Sequence, residues 1–333
     1  MKFRVVGQSG EHIFPFGDIG PWVQFKENLI TPEDLLLTES FGQNIDVLVC
    51  HGYSLAALNE AKKSNLSKNR MILVIWEPPI NNPRLHSEKY LSNFGHIFVP
   101  SKTWAKGREA TYFRWPVGPE TESRPIQNFS ERTNESVMVQ SHKFNFRKGE
   151  NYSLRRRLLF KSLLLESPII LYGHGWNKSF QLEAFKVFGK HLISSPFNIN
   201  LGSFKYIFDK YPFYLGASQS KQIILENYRF SIVIENHNSY ISEKLYDSLN
   251  AGCITFYVGP KVEDYGLDKN LVIQIEPNVE EILSTMDKTM TLSFEDLKLI
   301  HERQAKLMLT QFENWQNGHV LTLLALNIRN LLR

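Results

Sequence analysis

The sequence predicts an α/β fold made of two doubly wound domains, each with a parallel sheet. The chain has 333 residues, which is too long for one ordinary hydrophobic core. Short apolar runs alternate with helix-like stretches in both halves, a pattern typical of parallel sheets covered by helices. Residues 120–134 are polar and contain proline without periodicity, so we interpret them as a linker between the domains.

The first half supplies the elements of one such domain. Residues 46–50 and 71–76 are apolar runs that predict buried strands, and residues 96–100 predict another. Between the first two lies a stretch rich in alanine, leucine and lysine, residues 54–67, which predicts a helix. We expect this domain to cover residues 1–125.

The second half repeats the alternation and predicts a domain over residues 126–315. Its expected strands and helices are residues 136–140, 153–166, 168–173, 230–234, 242–250, 254–258, 271–275 and 295–315. Residues 316–333 form a separate amphipathic C-terminal helix in this interpretation. We expect it to pack on the core, and weak binding to a membrane surface is the alternative.

Composition narrows the classes of function. The net charge is only +4, and the chain has no long basic run, so a nucleic-acid partner is not expected. Cys50 and Cys253 both lie in apolar segments, which predicts buried free thiols and neither disulfides nor metal ligands. The chain shows no signal peptide and no run of about 18 apolar residues. We therefore expect a cytoplasmic protein, with peripheral association with the inner membrane as an alternative.

The most informative segment is residues 228–260, a strand, a polar loop, a helix and a second strand. Ligands of open α/β sheets bind outside the carboxyl ends of the strands. The polar side chains gathered at that point are Glu235, Asn236, Tyr240, Glu243 and Lys244. A cation beside the first turn of a helix suits a phosphate, and carboxylates and amides suit sugar hydroxyls. The alternative is a helix capped by Ser242 with a surface Glu–Lys pair.

Two further groups are candidates for the same chemistry. Arg155, Arg156 and Arg157 open a predicted helix after a strand, where one arginine could bind two oxygens of a diphosphate. The alternative is a solvated basic helix start. Glu77 follows the apolar strand at residues 71–76, where a carboxylate can act as a general base or as an ordinary hydrogen-bonding residue.

Several common motifs are missing from the sequence. It contains no Gly-x-Gly-x-x-Gly, no Gly-x-x-x-x-Gly-Lys and no Asp-x-Asp. A dinucleotide cofactor is therefore not expected. An enzyme that uses a nucleotide sugar would have to stabilise its leaving diphosphate with lysine, arginine and backbone N–H groups instead of a bound metal.

Residues 228–260 resemble the signature of the α-1,3/1,4-fucosyltransferases, glycosyltransferase family 10, in the spelling FSIVIEN, YISEK and AGCITFYVGP. Thr255 stands where that family usually has proline. WEPP, ILYGHGW and the helix start near Arg155 extend the resemblance more weakly, so that it spans about residues 71–260. The first 70 residues match nothing in the family.

The resemblance implies a GT-B fold, in which two Rossmann-like domains face a cleft. It also implies inverting transfer of L-fucose from GDP-fucose to a hydroxyl of a glycan acceptor, an oligosaccharide or glycolipid, in α-1,3 or α-1,4 linkage. No tightly bound metal is implied, and a divalent ion would at most stimulate the reaction. Glu77 becomes the general base in the acceptor-binding N-terminal domain.

The nucleotide-sugar-binding domain would hold the remaining candidate residues. Arg155, or less well Arg157, and Lys244 would bind the diphosphate, and Glu243 would bind a sugar or ribose hydroxyl. Tyr240 would also contact the donor, while Glu235 and Asn236 would line the fucose side. Two alternatives stay open: the same scaffold with another nucleotide sugar, and a non-catalytic glycan- or nucleotide-binding protein. Acceptor identity, which we expect residues 10–45 and 78–95 to determine, linkage and oligomeric state are not specified by the sequence.

Overall fold

The computed structural model describes residues 2–6, 36–37, 45–117, 128–176, 181–194, 196–207, 209–217, 220–312, 315 and 317–332. Internal contacts divide the chain into two compact units. Unit 1 consists of Met1–Glu120 and Asn314–Arg333, and unit 2 consists of Thr121–Glu313. Residues 120–127 of the predicted linker lie outside the described residues. The end of that region contains the short 3-10 helix Phe129–Glu131 and the first residues of a strand.

Unit 1 contains a sheet of six described strands, all parallel, in the order β2-β1-β3-β4-β5-β6. The strands are β1 (Lys2–Val6), β2 (Leu36–Leu37), β3 (Val47–Cys50), β4 (Met71–Val74), β5 (His96–Val99) and β6 (Thr111–Tyr112). Its described helices are α1 (Leu55–Lys63), α2 (Glu88–Leu91) and the C-terminal helix (Asn317–Leu331).

The C-terminal helix buries an apolar stripe in the core of unit 1. Val320, Leu324 and Ile328 are buried in the same cluster as Val49 and Ile72 of the sheet. This side of the helix therefore contributes to folding, and the alternative of membrane-surface binding gains no support. No helix in the described part of the chain has the length and hydropathy needed to cross a bilayer.

Unit 2 contains a second parallel sheet, in the order β11-β10-β9-β7-β8. Its described strands are β7 (Thr133–Val139), β8 (Ile170–Tyr172), β9 (Tyr228–Ile234), β10 (Ile254–Val258) and β11 (Ile273–Gln274). Its described helices are α3 (Tyr152–Ser162), α4 (Gln181–Ser194), α5 (Lys221–Leu225), α6 (Glu243–Asn250), α7 (Val279–Met290) and α8 (Phe294–Gln311).

Helices cover both faces of this second sheet. Met138 of β7 packs in one buried cluster with Leu158 of α3. Its neighbour Val137 points to the opposite face and packs with Leu225 of α5. Adjacent residues of a strand face opposite sides of a sheet, so a strand buried on both faces must be a continuous apolar run. The predicted doubly wound α/β fold is confirmed.

Several element boundaries differ from the prediction. The helix expected at residues 54–67 ends at Lys63, because Asn65 adopts a left-handed backbone conformation with φ of 52°. The helix expected at residues 153–166 ends at Ser162, whose hydroxyl donates to the carbonyl of Leu159 at 2.7 Å. Both thiols are buried and free, as the sequence predicts.

The carboxyl ends of β7, β8, β9 and β10 lie along one edge of the sheet because the strands are parallel. The residues that follow these strands are Gln140, Gly173, Glu235 and Gly259. Gly173 has φ of 138°, and a Cβ atom there would lie 2.2 Å from the carbonyl oxygen of Gln140. A side chain is thus excluded where β7 and β8 end.

Candidate functional site

Glu235, the residue after β9, joins the strand to the first turn of α6. Its buried carboxylate accepts hydrogen bonds from the backbone N–H of Ser242 at 2.8 Å and from the Ser242 hydroxyl at 2.7 Å. Ser242 is in turn the N-cap of α6, and its Oγ accepts from the N–H of Lys244 at 3.4 Å. The polar loop between strand and helix is therefore closed by hydrogen bonds at both ends.

Lys244 places an ammonium group at this helix N-terminus. Its Nζ donates to Ser242 Oγ at 2.8 Å and lies 3.6 Å from Glu235 Oε2 and 3.7 Å from Glu243 Oε1. The side chain is 15% exposed, whereas that of Glu243 is 40% exposed. A cation that is held in place at a helix N-terminus and can be reached from solvent is suited to an anionic oxygen.

Arg155 reaches the same edge from the first turns of α3. Its Nη2 donates to the carbonyl of Ile234 and to Asn236 Oδ1, the latter at 2.8 Å. Asn236 Nδ2 donates to the hydroxyl of Tyr240 at 3.2 Å. The guanidinium also lies 4.9 Å from the centre of the Tyr152 ring. Arg155 thus fixes the backbone that leaves β9, and Asn236 links it to Tyr240.

The three consecutive arginines point to different parts of unit 2. Arg156 is buried and donates to the carbonyl of Ser203 at 2.6 Å. Arg157 is partly exposed and lies near Glu280 of α7, whose pKa is lowered by its own backbone hydrogen bond, by Lys161 and, more weakly, by Arg157. Of these three arginines, Arg155 is the one whose described hydrogen bonds reach residues at the carboxyl edge of the sheet.

Burial shifts the pKa values of several ionisable groups in the candidate site. Desolvation raises the pKa of Tyr240 well above its ordinary value, so its phenol stays neutral. Desolvation also lowers the pKa of Arg155, and the nearby Tyr152 and Glu235 oppose this shift. Burial raises the pKa of Glu243, but the ammonium groups of Lys244 and Lys221 outweigh it and leave that pKa below its usual range.

Glu77 belongs to unit 1 and follows β4 by three residues. It is partly exposed, and its Oε2 accepts from Asn81 Nδ2 at 2.6 Å. Its carbonyl oxygen lies 2.8 Å from Nε2 of the buried His86. The backbone is thereby anchored while the carboxylate keeps access to solvent. Of the segments expected to contact an acceptor, 78–95 is described, and 10–45 lies outside the described residues apart from 36–37 and 45.

Gln140 is a site residue that sequence reasoning missed. The sequence identified it only as the last residue of a strand, yet it follows β7 at the carboxyl edge and lines a small cavity together with Lys244 and Asp247. A glutamine directly after a buried parallel strand was the available signal.

The described residues contain no cluster of three or more His, Cys, Asp or Glu side chains that could ligate a metal ion. The independence of donor binding from a tightly bound metal stays a prediction.

Comparisons with known proteins show what this fold is similar to. No family model matches the chain, and no curated protein matches it. HepE from Anabaena in complex with UDP has a TM-score of 0.60 at 9% identity, over 99% of this chain and 100% of that one. A glycosyltransferase from Rickettsia africae has a TM-score of 0.56 at 12% identity, over 100% and 98%. A UDP-forming α,α-trehalose-phosphate synthase from Burkholderia xenovorans has a TM-score of 0.55 at 9% identity, over 88% and 75%. The predicted GT-B fold class is confirmed by this likeness.

The resemblance to the α-1,3/1,4-fucosyltransferases is corrected by the same findings, and so is GDP-fucose as donor. The similar structures include UDP complexes and a UDP-forming synthase, and no family model supports a fucosyltransferase. Part of the shared spelling has a structural role. Glu235 and Ser242 close a strand–helix junction, and Gly259 leaves room for Tyr257, so the presence of these three residues does not by itself identify a sugar.

Proposed function

We propose that this chain is a glycosyltransferase that binds a UDP-sugar in unit 2 and transfers the sugar to a hydroxyl of a glycan acceptor. The observation that carries the proposal is the Lys244 ammonium, held at the first turn of α6 on the carboxyl edge of a parallel sheet. The likeness to HepE, whose structure contains UDP, supports the choice of nucleotide. The Rickettsia africae glycosyltransferase supports the reaction class.

In this proposal, Lys244 and the positive end of the α6 dipole stabilise the charge that develops on the leaving diphosphate, a task that often makes the largest contribution to catalysis. Glu243, which is 40% exposed, accepts a hydrogen bond from a ribose or sugar hydroxyl. Arg155 supports the site from behind, because its Nη2 is already bonded to Ile234 and Asn236. Glu235 likewise positions Lys244, through its hydrogen bonds to Ser242.

Glu77 is the proposed general base. Its carboxylate takes the proton from the acceptor hydroxyl as that oxygen forms a bond to the anomeric carbon, and the bond between this carbon and the phosphate oxygen breaks. The electron pair leaves with UDP. A single displacement of this kind inverts the configuration of the sugar, so the stereochemistry of the product tests the role of Glu77 separately from donor binding.

Titration calorimetry with UDP, UDP-glucose, UDP-GlcNAc and GDP tests donor binding. We expect the wild type to bind UDP and its sugars more tightly than GDP, and Lys244→Met to weaken UDP binding by roughly tenfold, the loss of one charge-assisted hydrogen bond. Lys288→Met removes an exposed lysine from α7 and should leave the affinity unchanged. The proposal is wrong if the wild type binds none of the UDP compounds, or if Lys244→Met binds UDP as tightly as the wild type.

A further inference from the structure

A small cavity lies between the first turns of α6 and strands β7 and β9 of unit 2. Gln140, Ser231, Lys244, Asp247 and Ser248 are among the residues that line it. Its free space is about 10 Å³, which is room for one group of the size of a water molecule. Lys221 forms part of the wall and is 49% exposed, so the cavity reaches the protein surface.

Gln140 contributes a side-chain amide that none of the described residues hydrogen-bonds. The side chain is 5% exposed, and neither its Nε2 nor its Oε1 has a hydrogen-bond partner among the described residues. The backbone of the same residue is fully engaged: its N–H donates to Tyr172 at 3.0 Å, and its carbonyl accepts from Trp176 Nε1 at 2.7 Å. A buried amide without partners disfavours folding, so the Gln140 amide is available to a polar group that enters the cavity.

The chemistry of the amide indicates which ligand group would satisfy it. An amide offers a donor and an acceptor side by side, and a hydroxyl group can both donate and accept. A phosphate oxygen only accepts, so it could use the amide N–H but would leave the amide oxygen without a partner. Lys244 lines the same cavity, and the proposed function assigns Lys244 to the diphosphate. The hydroxyls that flank a diphosphate in a nucleotide sugar belong to the ribose and to the transferred sugar.

We infer that Gln140 binds a hydroxyl of the nucleotide-sugar donor next to its diphosphate. The inference rests on the proposed function and adds a specificity-determining residue to it. The ion pair between Lys221 Nζ and Asp247 Oδ2, at 2.8 Å, lies on the same cavity and occupies two of its charged groups. The Gln140 amide is then an uncharged polar group on this cavity that an uncharged hydroxyl can bind.

Calorimetry of Gln140→Met with UDP and with UDP-glucose tests the inference, because methionine keeps the length of the side chain and removes its polar atoms. We expect affinity to fall about three- to tenfold, the range for one lost hydrogen bond. A fall for both ligands assigns the hydroxyl to the ribose, and a fall for UDP-glucose alone assigns it to the sugar. If the variant binds both within twofold of the wild type, Gln140 does not contact the donor. A wild type that binds neither ligand would refute the proposed function itself.

Urea unfolding supplies a readout that separates binding from folding. Gln140→Met should leave the unfolding midpoint unchanged or raise it, since no partner is lost. Gln304 is the matched control, because it is equally buried but its Oε1 accepts from the N–H of Thr255 at 3.2 Å. Gln304→Met should lower the midpoint. If Gln140→Met lowers it to the same extent, the side chain is structural and the inference fails.

Discussion

The carboxylate of Glu235 accepts two hydrogen bonds from Ser242, one from its backbone N–H at 2.8 Å and one from its hydroxyl at 2.7 Å. The same hydroxyl accepts from Lys244 Nζ at 2.8 Å. The buried acid therefore holds the N-cap, and the N-cap holds the ammonium group. This chain of contacts makes Glu235 a positioning residue for the proposed phosphate site.

Glu235→Ala should lower the free energy of unfolding by about 3 kcal/mol, the lower end of the range for breaking a buried charge pair, because Lys244 still reaches solvent. The N–H of Ser242 would also lose its acceptor. Glu281→Ala is the control, since Glu281 is exposed in the first turn of α7, and it should change stability by no more than about 0.5 kcal/mol. Chemical unfolding followed by circular dichroism measures both. Equal losses in the two variants would contradict the positioning role.

Gly259→Ala should destabilise the chain and disturb the same site. A Cβ atom at Gly259 would lie 2.4 Å from the Tyr257 hydroxyl and 2.9 Å from Glu235 Cγ. Overpacking of this kind costs about 1–3 kcal/mol, and moving Glu235 would also weaken UDP binding. Gly189→Ala provides the opposite case. It lies inside α4 with no atom within 4 Å of the new Cβ, so it should stabilise the helix by about 0.5–1 kcal/mol. Thermal unfolding of the two variants should shift in opposite directions.

The sequence of this chain predicts its individual strands and helices well, because they depend on the local pattern of apolar and polar residues. The strand predicted at residues 254–258 matches β10, and the helix predicted at residues 242–250 matches α6 to within one residue. The polar residues around Glu235 and Lys244 also lie near one another in sequence, so their grouping needs no knowledge of the tertiary fold. The helix ends near residues 63 and 162 were less predictable. The left-handed backbone conformation of Asn65, just after the first of them, does not follow from the pattern of apolar residues.

The rest of the candidate site depends on the order of the strands in the sheet, which the sequence does not specify. β7 pairs with both β8 and β9, although β9 comes almost 90 residues later. That pairing brings Gln140 beside Lys244 and Arg155 beside Asn236. The identity of the donor could not be predicted for a second reason. Glu235, Ser242 and Gly259 shape the junction between strand and helix, so their presence does not by itself identify the base or the sugar of the donor.

His51 should make unit 1 less stable in acid. Its Nδ1 accepts the indole N–H of Trp76 at 2.9 Å, and burial lowers its pKa to about 3. The folded state thus stays unprotonated at this ring down to about pH 3, whereas the unfolded chain takes up a proton below about pH 6.5. The stabilising contribution is complete above pH 6.5 and is lost as the pH falls from 6.5 toward 3, by up to about 1.4 kcal/mol per pH unit.

Urea unfolding at pH 7 and pH 5 measures this contribution. His51→Gln keeps an acceptor for the Trp76 N–H and does not titrate. The stability lost between the two pH values should therefore be smaller in the variant by about 2 kcal/mol, the value for a protonation linkage extending about 1.5 pH units below the unfolded-state pKa. An identical pH dependence in wild type and variant would show that His51 does not carry the effect.

Glu77→Gln should abolish most of the turnover and leave donor binding intact. The amide keeps the shape of the side chain and removes its ability to accept a proton from the acceptor hydroxyl. General-base catalysis typically contributes about 10²–10⁴-fold, so kcat should fall by that factor while the Kd for UDP stays within twofold. Release of UDP with a panel of glycan acceptors measures kcat. Glu88→Gln is the control, because Glu88 is exposed and pairs with Arg108, and it should retain activity. Turnover like that of the wild type in Glu77→Gln would remove Glu77 from the role, whereas a parallel loss of UDP affinity would indicate a binding defect.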